Sequence, residues 1–246
     1  MQRVVHDDLG LVNSKRQLLS EATRAKRRKR SKELLNWFKD HKDVPIVYSD
    51  EQIFTVELEP TRYNDRFPGK SRKTVPLELR AIPKRQHPVG VMVWAGVCSD
   101  GSKSPLVFVP EGVKVNQVTY VDFIKPDLIP WAKKKFGDDP WAFMQDSAPA
   151  HSAKKTVSLK ENVPHLWTPD MWPPSSPEIN PMDFAIWSVM ETKNAAKTHP
   201  KLAALRNKLK KIWKNLNPDM MRQCCELVPE RLKSVIHPKG GYFEIH

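Results

Sequence analysis

The stretch Phe143–His151, FMQDSAPAH, limits what this chain can fold into more than any other. Trp141–Met144 is a short apolar run of strand type that delivers Gln145 and Asp146 to its end. A break of small residues and proline follows, and His151 comes five positions after the aspartate. An ionised carboxylate at the tip of a buried strand must be paired, solvated or bound to metal, because its desolvation is otherwise too costly. Taken alone, the segment is equally an aspartate that opens a turn before Ala148-Pro149.

Two further stretches bear on that choice. Val44–Glu51, VPIVYSDE, is rich in β-branched and aromatic residues and again runs into an acid, Asp50. Trp172–Phe184, WPPSSPEINPMDF, is a proline-rich loop entering a helix. Asn180 stands there as N-cap and Pro181 as first helical residue, so Asp183 falls in the first turn. Aspartates at two strand ends and one helix N-terminus can converge on a single point. Three convergent carboxylates hold two hard divalent cations through oxygen ligands, the arrangement used for in-line phosphoryl displacement. Mg²⁺ or Mn²⁺ suits such a set.

Other acids and one histidine compete for roles. Glu178 lies in the same loop as Asp183 and is a rival third ligand, its other reading being local hydrogen bonding in the loop. Glu51 follows Asp50 and points to the opposite face of a continuing strand. His151 either touches DNA or a metal-bound water, or is a hydrogen-bonded residue at a helix start.

Charge narrows the partners. Lys and Arg number 41 against 28 Asp and Glu in 246 residues, a net +13 that calls for a polyanion or a solvated basic surface. The densest run, Lys26, Arg27, Arg28, Lys29 and Arg30, suits a DNA backbone or a nuclear-import receptor, and otherwise a solvated helix face. A second basic stretch, residues 60–88, includes Arg62, Arg66, Lys70, Arg72 and Lys73 and is irregular. The three cysteines, Cys98 and the adjacent Cys224-Cys225, show no zinc-ligand spacing and suit a reducing compartment. The longest apolar run, Val89–Cys98, is too short to span a bilayer, so no membrane partner is expected.

Along the chain, helical spacing appears in residues 14–41. Two consecutive strands are expected in Val44–Glu59, then a strand at Val89–Cys98, a turn at Ser99-Asp100-Gly101 and a hairpin partner at Pro105–Val109. A helix over Asn116–Phe136 is expected to be broken by Pro126 and Pro130. The strand before Asp146 is followed by a helix at Ala153–Asn162, a strand at Pro164–Thr168 and a helix from Pro181 to about Ala196. An amphipathic helix carries Leu202, Leu205, Leu209, Ile212 and Leu216, and a last helix runs from Asn217-Pro218-Asp219 to near His237. The pattern is α/β: a mixed sheet flanked by helices.

Four motifs in order, SDEQIF, MVWAGV, FMQDSAPAH and WPPSSPEINPMDF, resemble the catalytic domain of mariner-type transposases of the Tc/mariner superfamily, from Val44 to Ile245. The resemblance implies a ribonuclease-H-like fold and its strand order over residues 44–246. Carried over residue by residue, it makes Asp50, Asp146 and Asp183 the catalytic, metal-binding triad. The interval from Asp146 to Asp183 and the Asn-Pro-x-acid context favour Asp183 over Glu178, while Glu178 stands where relatives usually have Asp. It further implies two Mg²⁺ or Mn²⁺ ions, double-stranded DNA (transposon ends and target) as partner, a homodimer at full length and a nuclear location. The implied chemistry is strand cleavage by water, then attack of the freed 3′-hydroxyl on target DNA. Residues 60–88 match an insertion that contacts DNA or the partner subunit. Residues 1–43 match a basic helical linker to a helix-turn-helix DNA reader, so the chain is expected to be a fragment or a decayed copy. A transposase-derived DNA-binding protein without activity is the alternative, and a nuclease acting on RNA–DNA hybrids the third reading.

Overall fold

The computed structural model describes residues 18–56, 89–110, 117–145, 159, 161–168, 170–195 and 201–243. Helix α1 spans Glu21–Asp40, and Ser20 caps it by accepting a hydrogen bond from the Thr23 N–H. Strands β1 (Ile46–Thr55), β2 (Gly90–Cys98) and β3 (Val107–Phe108) follow, then helix α2 (Gln117–Phe136). β4 (Ala142–Met144) and β5 (His165–Trp167) complete one five-stranded sheet, ordered β3-β2-β1-β4-β5. A π-helical turn, Met182–Ile186, leads into α3 (Trp187–Asn194). α4 (Leu202–Lys214), α5 (Pro218–Glu226) and α6 (Val228–Ile236) end the described chain.

The sheet is mixed, as expected. β1 pairs antiparallel with β2 and parallel with β4, while β4–β5 is parallel and β2–β3 antiparallel. Alternation along β1 and β2 sends side chains to two cores. Ile46, Tyr48, Val93 and Ala95 face the layer built from α1, the π-turn and α3 to α6. Val47, Trp94 and Phe143 face α2, through Leu128, Ala132 and Phe136. Among the described residues no helix is long and apolar enough to cross a membrane.

Three local expectations change. Val44–Glu59 holds one long strand and not two, because the β1–β2 register runs without a break from Val47↔Cys98 to Thr55↔Gly90. α2 is continuous through Pro126 and Pro130. Leu128, Ala132 and Phe136 recur every fourth residue and bury one face of it, which outweighs the hydrogen bonds the prolines remove. The last expected helix is two, α5 and α6, meeting at Leu227, with Pro229 in the first turn of α6. Of the helix expected at Ala153–Asn162, only Leu159, 161 and 162 fall within the described residues.

The segment read as a linker is sealed to the core along the C-terminal half of α1. Leu34 is buried, and the Trp37 ring meets Trp167 of β5 edge-on at 4.8 Å. The far end of α1 lies against the turn after α6. Gly240, at φ +86, packs so closely that a Cβ there would sit 1.9 Å from the Arg24 carbonyl oxygen.

Candidate active site

Asp50 lies in the middle of β1, opposite Ala95 of β2, and not at a strand end. The parallel pairing with β4 covers only Ile46, Val47 and Tyr48, so Asp50 sits just beyond the level where that neighbour stops. Asp50 shares its face of the sheet with Tyr48, and Glu51 takes the opposite one.

Three side-chain contacts tie the helix after the proline-rich loop to β1. The Asn180 amide nitrogen donates to the Ser49 carbonyl at 3.2 Å, while its Oδ1 accepts from the Met182 N–H at 3.1 Å. The Trp187 indole N–H donates to Oδ2 of Asp50 at 2.7 Å. Further along, the Gln52 amide donates to Glu191 Oε1 at 2.6 Å. Asp183, half-buried in the π-turn, therefore lies between two residues anchored at Ser49 and Asp50. The Trp187 N–H reaches the Met182 carbonyl five residues back, the wider turn that gives this stretch its extra residue.

Asp146 and His151 lie outside the described residues, as do Arg62, Arg66, Lys70, Arg72 and Lys73. Gln145, immediately before Asp146, is fully buried, and both polar atoms of its side-chain amide lack a hydrogen-bond partner. Among the described residues no three His, Cys, Asp or Glu side chains form a metal-binding group. Asp50 and Asp183 are nonetheless fitting donors for a hard cation: carboxylate oxygens, partly exposed, on elements bound directly to each other.

Glu178 is engaged elsewhere. Its carboxylate forms a salt bridge with Arg27, and its backbone carbonyl accepts from Arg231 Nη1 at 2.7 Å. Arg231 also lies over the Phe184 ring, 3.5 Å from its centroid, and burial lowers its pKa.

The basic run on α1 divides in two. Lys26, Arg28 and Lys29 are exposed, and Lys29 is 3.8 Å from Glu33 one turn on. Arg30 is half-buried and donates to the Trp172 carbonyl at 3.0 Å. Arg27, grouped by sequence with the phosphate contacts, is fully buried inside the protein and is not at the surface to meet a phosphate. Trp187 and Arg231, which contact Asp50 and Glu178, were not among the site residues singled out from the sequence. Arg27 with Ser31 and Leu34 forms a helical stripe, which was the signal available for its burial.

No protein-family model matches the chain. It is 28% identical over 183 residues to the Tcb1 transposase of Caenorhabditis briggsae, a match covering 67% of this chain and 60% of that protein. Over 211 residues it is 26% identical to the Tc3 transposase of Caenorhabditis elegans, covering 84% of this chain and 58% of that one. The chain thus spans about three fifths of the length of these relatives. Among solved structures, the Mos1 mariner paired-end complex with Mn aligns over 99% of this chain and 72% of its own, with TM-score 0.78 and 17% identity. The catalytic domain of Mos1 mariner transposase aligns over 94% of this chain and all of its own, with TM-score 0.69 and 16% identity. The fold is accordingly the ribonuclease-H-like one of that domain. In its sequence the chain is thus similar to the Tc-type transposases of Caenorhabditis, and in its fold to the catalytic domain of Mos1 mariner transposase.

Proposed function

We propose that this chain is the catalytic core of a metal-dependent DNA transposase, which cleaves strands at transposon ends and joins them to target DNA. One observation carries the reading: the helix bearing Asp183 is bound to β1 on both sides of that residue, at Ser49 and at Asp50. Asp50 and Asp183 would hold Mg²⁺ or Mn²⁺ together with Asp146, the next residue after buried Gln145. Mos1 structures with Mg and with Mn support the choice of ion. Held there, two such ions would activate a water, or the 3′-hydroxyl of a cleaved DNA strand, for attack and would stabilise the leaving oxygen. The chain's own part is to present the carboxylates, to fix the Asp50 oxygens through Trp187, and to bring DNA in by charge.

Duplex DNA is the proposed substrate, supported by the net charge of +13 and by a Mos1 paired-end complex with left transposon end. Pairing of transposon ends by two copies, and a nuclear location, belong to the same proposal. Its test is nicking of supercoiled plasmid by the purified chain. Cleavage is expected with Mg²⁺ or Mn²⁺ and not in excess chelator, and Asp50→Asn and Asp183→Asn should abolish it with the fold intact. A folded, DNA-binding chain that never nicks under any divalent ion would overturn the catalytic reading in favour of binding alone.

A further inference from the structure

Arg27 stands out because nothing in phosphoryl transfer requires it, and it is fully buried while its basic neighbours Lys26, Arg28 and Lys29 are exposed. Burying a guanidinium is costly unless its donors are matched. Here they are matched densely. Nε donates to the Gly240 carbonyl at 2.8 Å, and Nη1 donates to Ser176 Oγ at 2.7 Å and to the carbonyls of Pro174 and Ser175. Nη2 meets the Glu178 carboxylate and lies 3.4 Å from the Gly241 carbonyl. Most of these acceptors belong to the proline-rich loop that ends at Asn180.

That loop is not at rest by itself. Ser175 has φ +50, a conformation that L residues rarely adopt and that persists only when the surroundings over-determine it. Its carbonyl is one of those Arg27 holds. The loop is then clamped from α6 as well, by Arg231 on the Glu178 carbonyl and on the Phe184 ring, the residue after Asp183.

We infer that Arg27 is a positioning residue for Asp183: a buried guanidinium on α1 that fixes the 174–178 loop, through Ser176 and Glu178, so that the π-turn presents Asp183 beside Asp50. The inference rests on the metal-site reading above. It also gives α1 a role beyond basic surface, since movement of α1 relative to the core would be transmitted to the 174–178 stretch of the loop through this side chain.

Two kinds of measurement test it on the full chain. The first is amide hydrogen exchange over residues 180–187 without added metal, for Arg27→Lys and for Glu178→Gln, which keeps the side-chain shape but removes the charge. The second is Mn²⁺ binding, followed by the electron-paramagnetic signal of the free ion. Leu209→Ala, a buried change in α4, serves as the control for simple loss of stability. Arg27→Lys and Glu178→Gln should each speed exchange in 180–187 and weaken Mn²⁺ binding by about tenfold, the scale for residues that orient a metal ligand. Leu209→Ala should leave Mn²⁺ affinity unchanged at temperatures where it is folded. Normal exchange and normal affinity in both loop variants would overturn the inference while leaving the metal site standing. So would a control that weakens binding equally, or abolition by Glu178→Gln beside a normal Arg27→Lys, which would make Glu178 a ligand. A folded wild-type chain that binds no Mn²⁺ would instead remove the metal site and this inference with it.

Discussion

The indole N–H of Trp187 donates to Oδ2 of Asp50 at 2.7 Å, so a tryptophan one turn beyond Asp183 orients the other described carboxylate of the candidate triad. Trp187 is also buried against Phe54 of β1, with ring centroids 6.0 Å apart, which makes seating the helix and orienting Asp50 a single event. Trp187→Phe keeps most of the ring and removes the donor. A hydrogen bond to a charged acceptor contributes about 1.5–3 kcal/mol, part of it offset because half-buried Asp50 can be solvated. Thermal unfolding should therefore change by only a few degrees, whereas plasmid nicking should fall roughly 10- to 100-fold, as for residues that orient metal ligands. Equal nicking by the phenylalanine variant would show that the bond serves packing alone.

Asp183 and Glu178 should separate cleanly. Removing a charge that holds a catalytic cation costs several orders of magnitude in rate, so Asp183→Asn should be inactive on a pre-nicked duplex at saturating metal while still binding it. Glu178→Gln acts through the loop and should retain measurable activity, recoverable at higher Mn²⁺. The reverse result, a dead Glu178→Gln beside a near-normal Asp183→Asn, would exchange their roles.

Much of this site could be read from residue order alone, and the reasons are local. Asn180-Pro181 reads as a helix start because a cap side chain and a proline at the first turn each satisfy a specific backbone need, and the helix does begin there. β2, β4 and β5 fall where short apolar runs lie between turn residues. What was not legible depends on partners distant in sequence. The Arg27–Glu178 pair joins residues 151 apart, and the position of Asp50 within a strand follows from the β1–β2 pairing that continues to Thr55. Basic residues also look alike in a sequence. Lys26 and Arg27 are neighbours in one run, yet the helix turns the first to solvent and the second into the protein.

Asp100, in the turn between β2 and β3, offers a pH-dependent check at the other end of the sheet. Burial pushes its pKa up, but the Ser102 hydroxyl and N–H and the Lys135 ammonium, 2.9 Å away, outweigh that and hold it down to about 2. A carboxylate depressed from an ordinary value of 3.8 contributes stability above that value, and the contribution is lost as pH falls toward 2. Because the pair is substantially exposed, screening limits the contribution to about 1 kcal/mol. Asp100→Asn should thus be slightly less stable than wild type at pH 6, and the two should converge as the pH falls from 4 to 2. A gap that stays constant over that range would mean that the carboxylate's charge contributes nothing.

Gly240 gives the sharpest test of whether α1 is part of the folded core. Its φ of +86 is unfavourable for a residue with a Cβ, and that atom would lie 1.9 Å from the Arg24 carbonyl oxygen and 2.7 Å from its carbon. Both neighbours are backbone within a helix and cannot rotate away. The turn is further fixed by the Gly240 N–H to the Val235 carbonyl at 2.9 Å and by Arg24 Nη2 to the Pro238 carbonyl at 3.2 Å. Gly240→Ala must therefore push α1 away from α6 or reshape the turn, and either disturbs the Arg27–Gly240 hydrogen bond. Strain of this kind costs about 2–4 kcal/mol, which for a chain of this size lowers the melting temperature by roughly 5–15 °C. Gly137 at φ +61 is the matched comparison, since a Cβ there would meet nothing within 4 Å. Gly137→Ala should suffer only the backbone penalty, about 1–2 kcal/mol. Calorimetry on the two variants decides the matter: equal losses would mean that α1 and the turn after α6 do not touch, and a larger loss at Gly240 is the expected result.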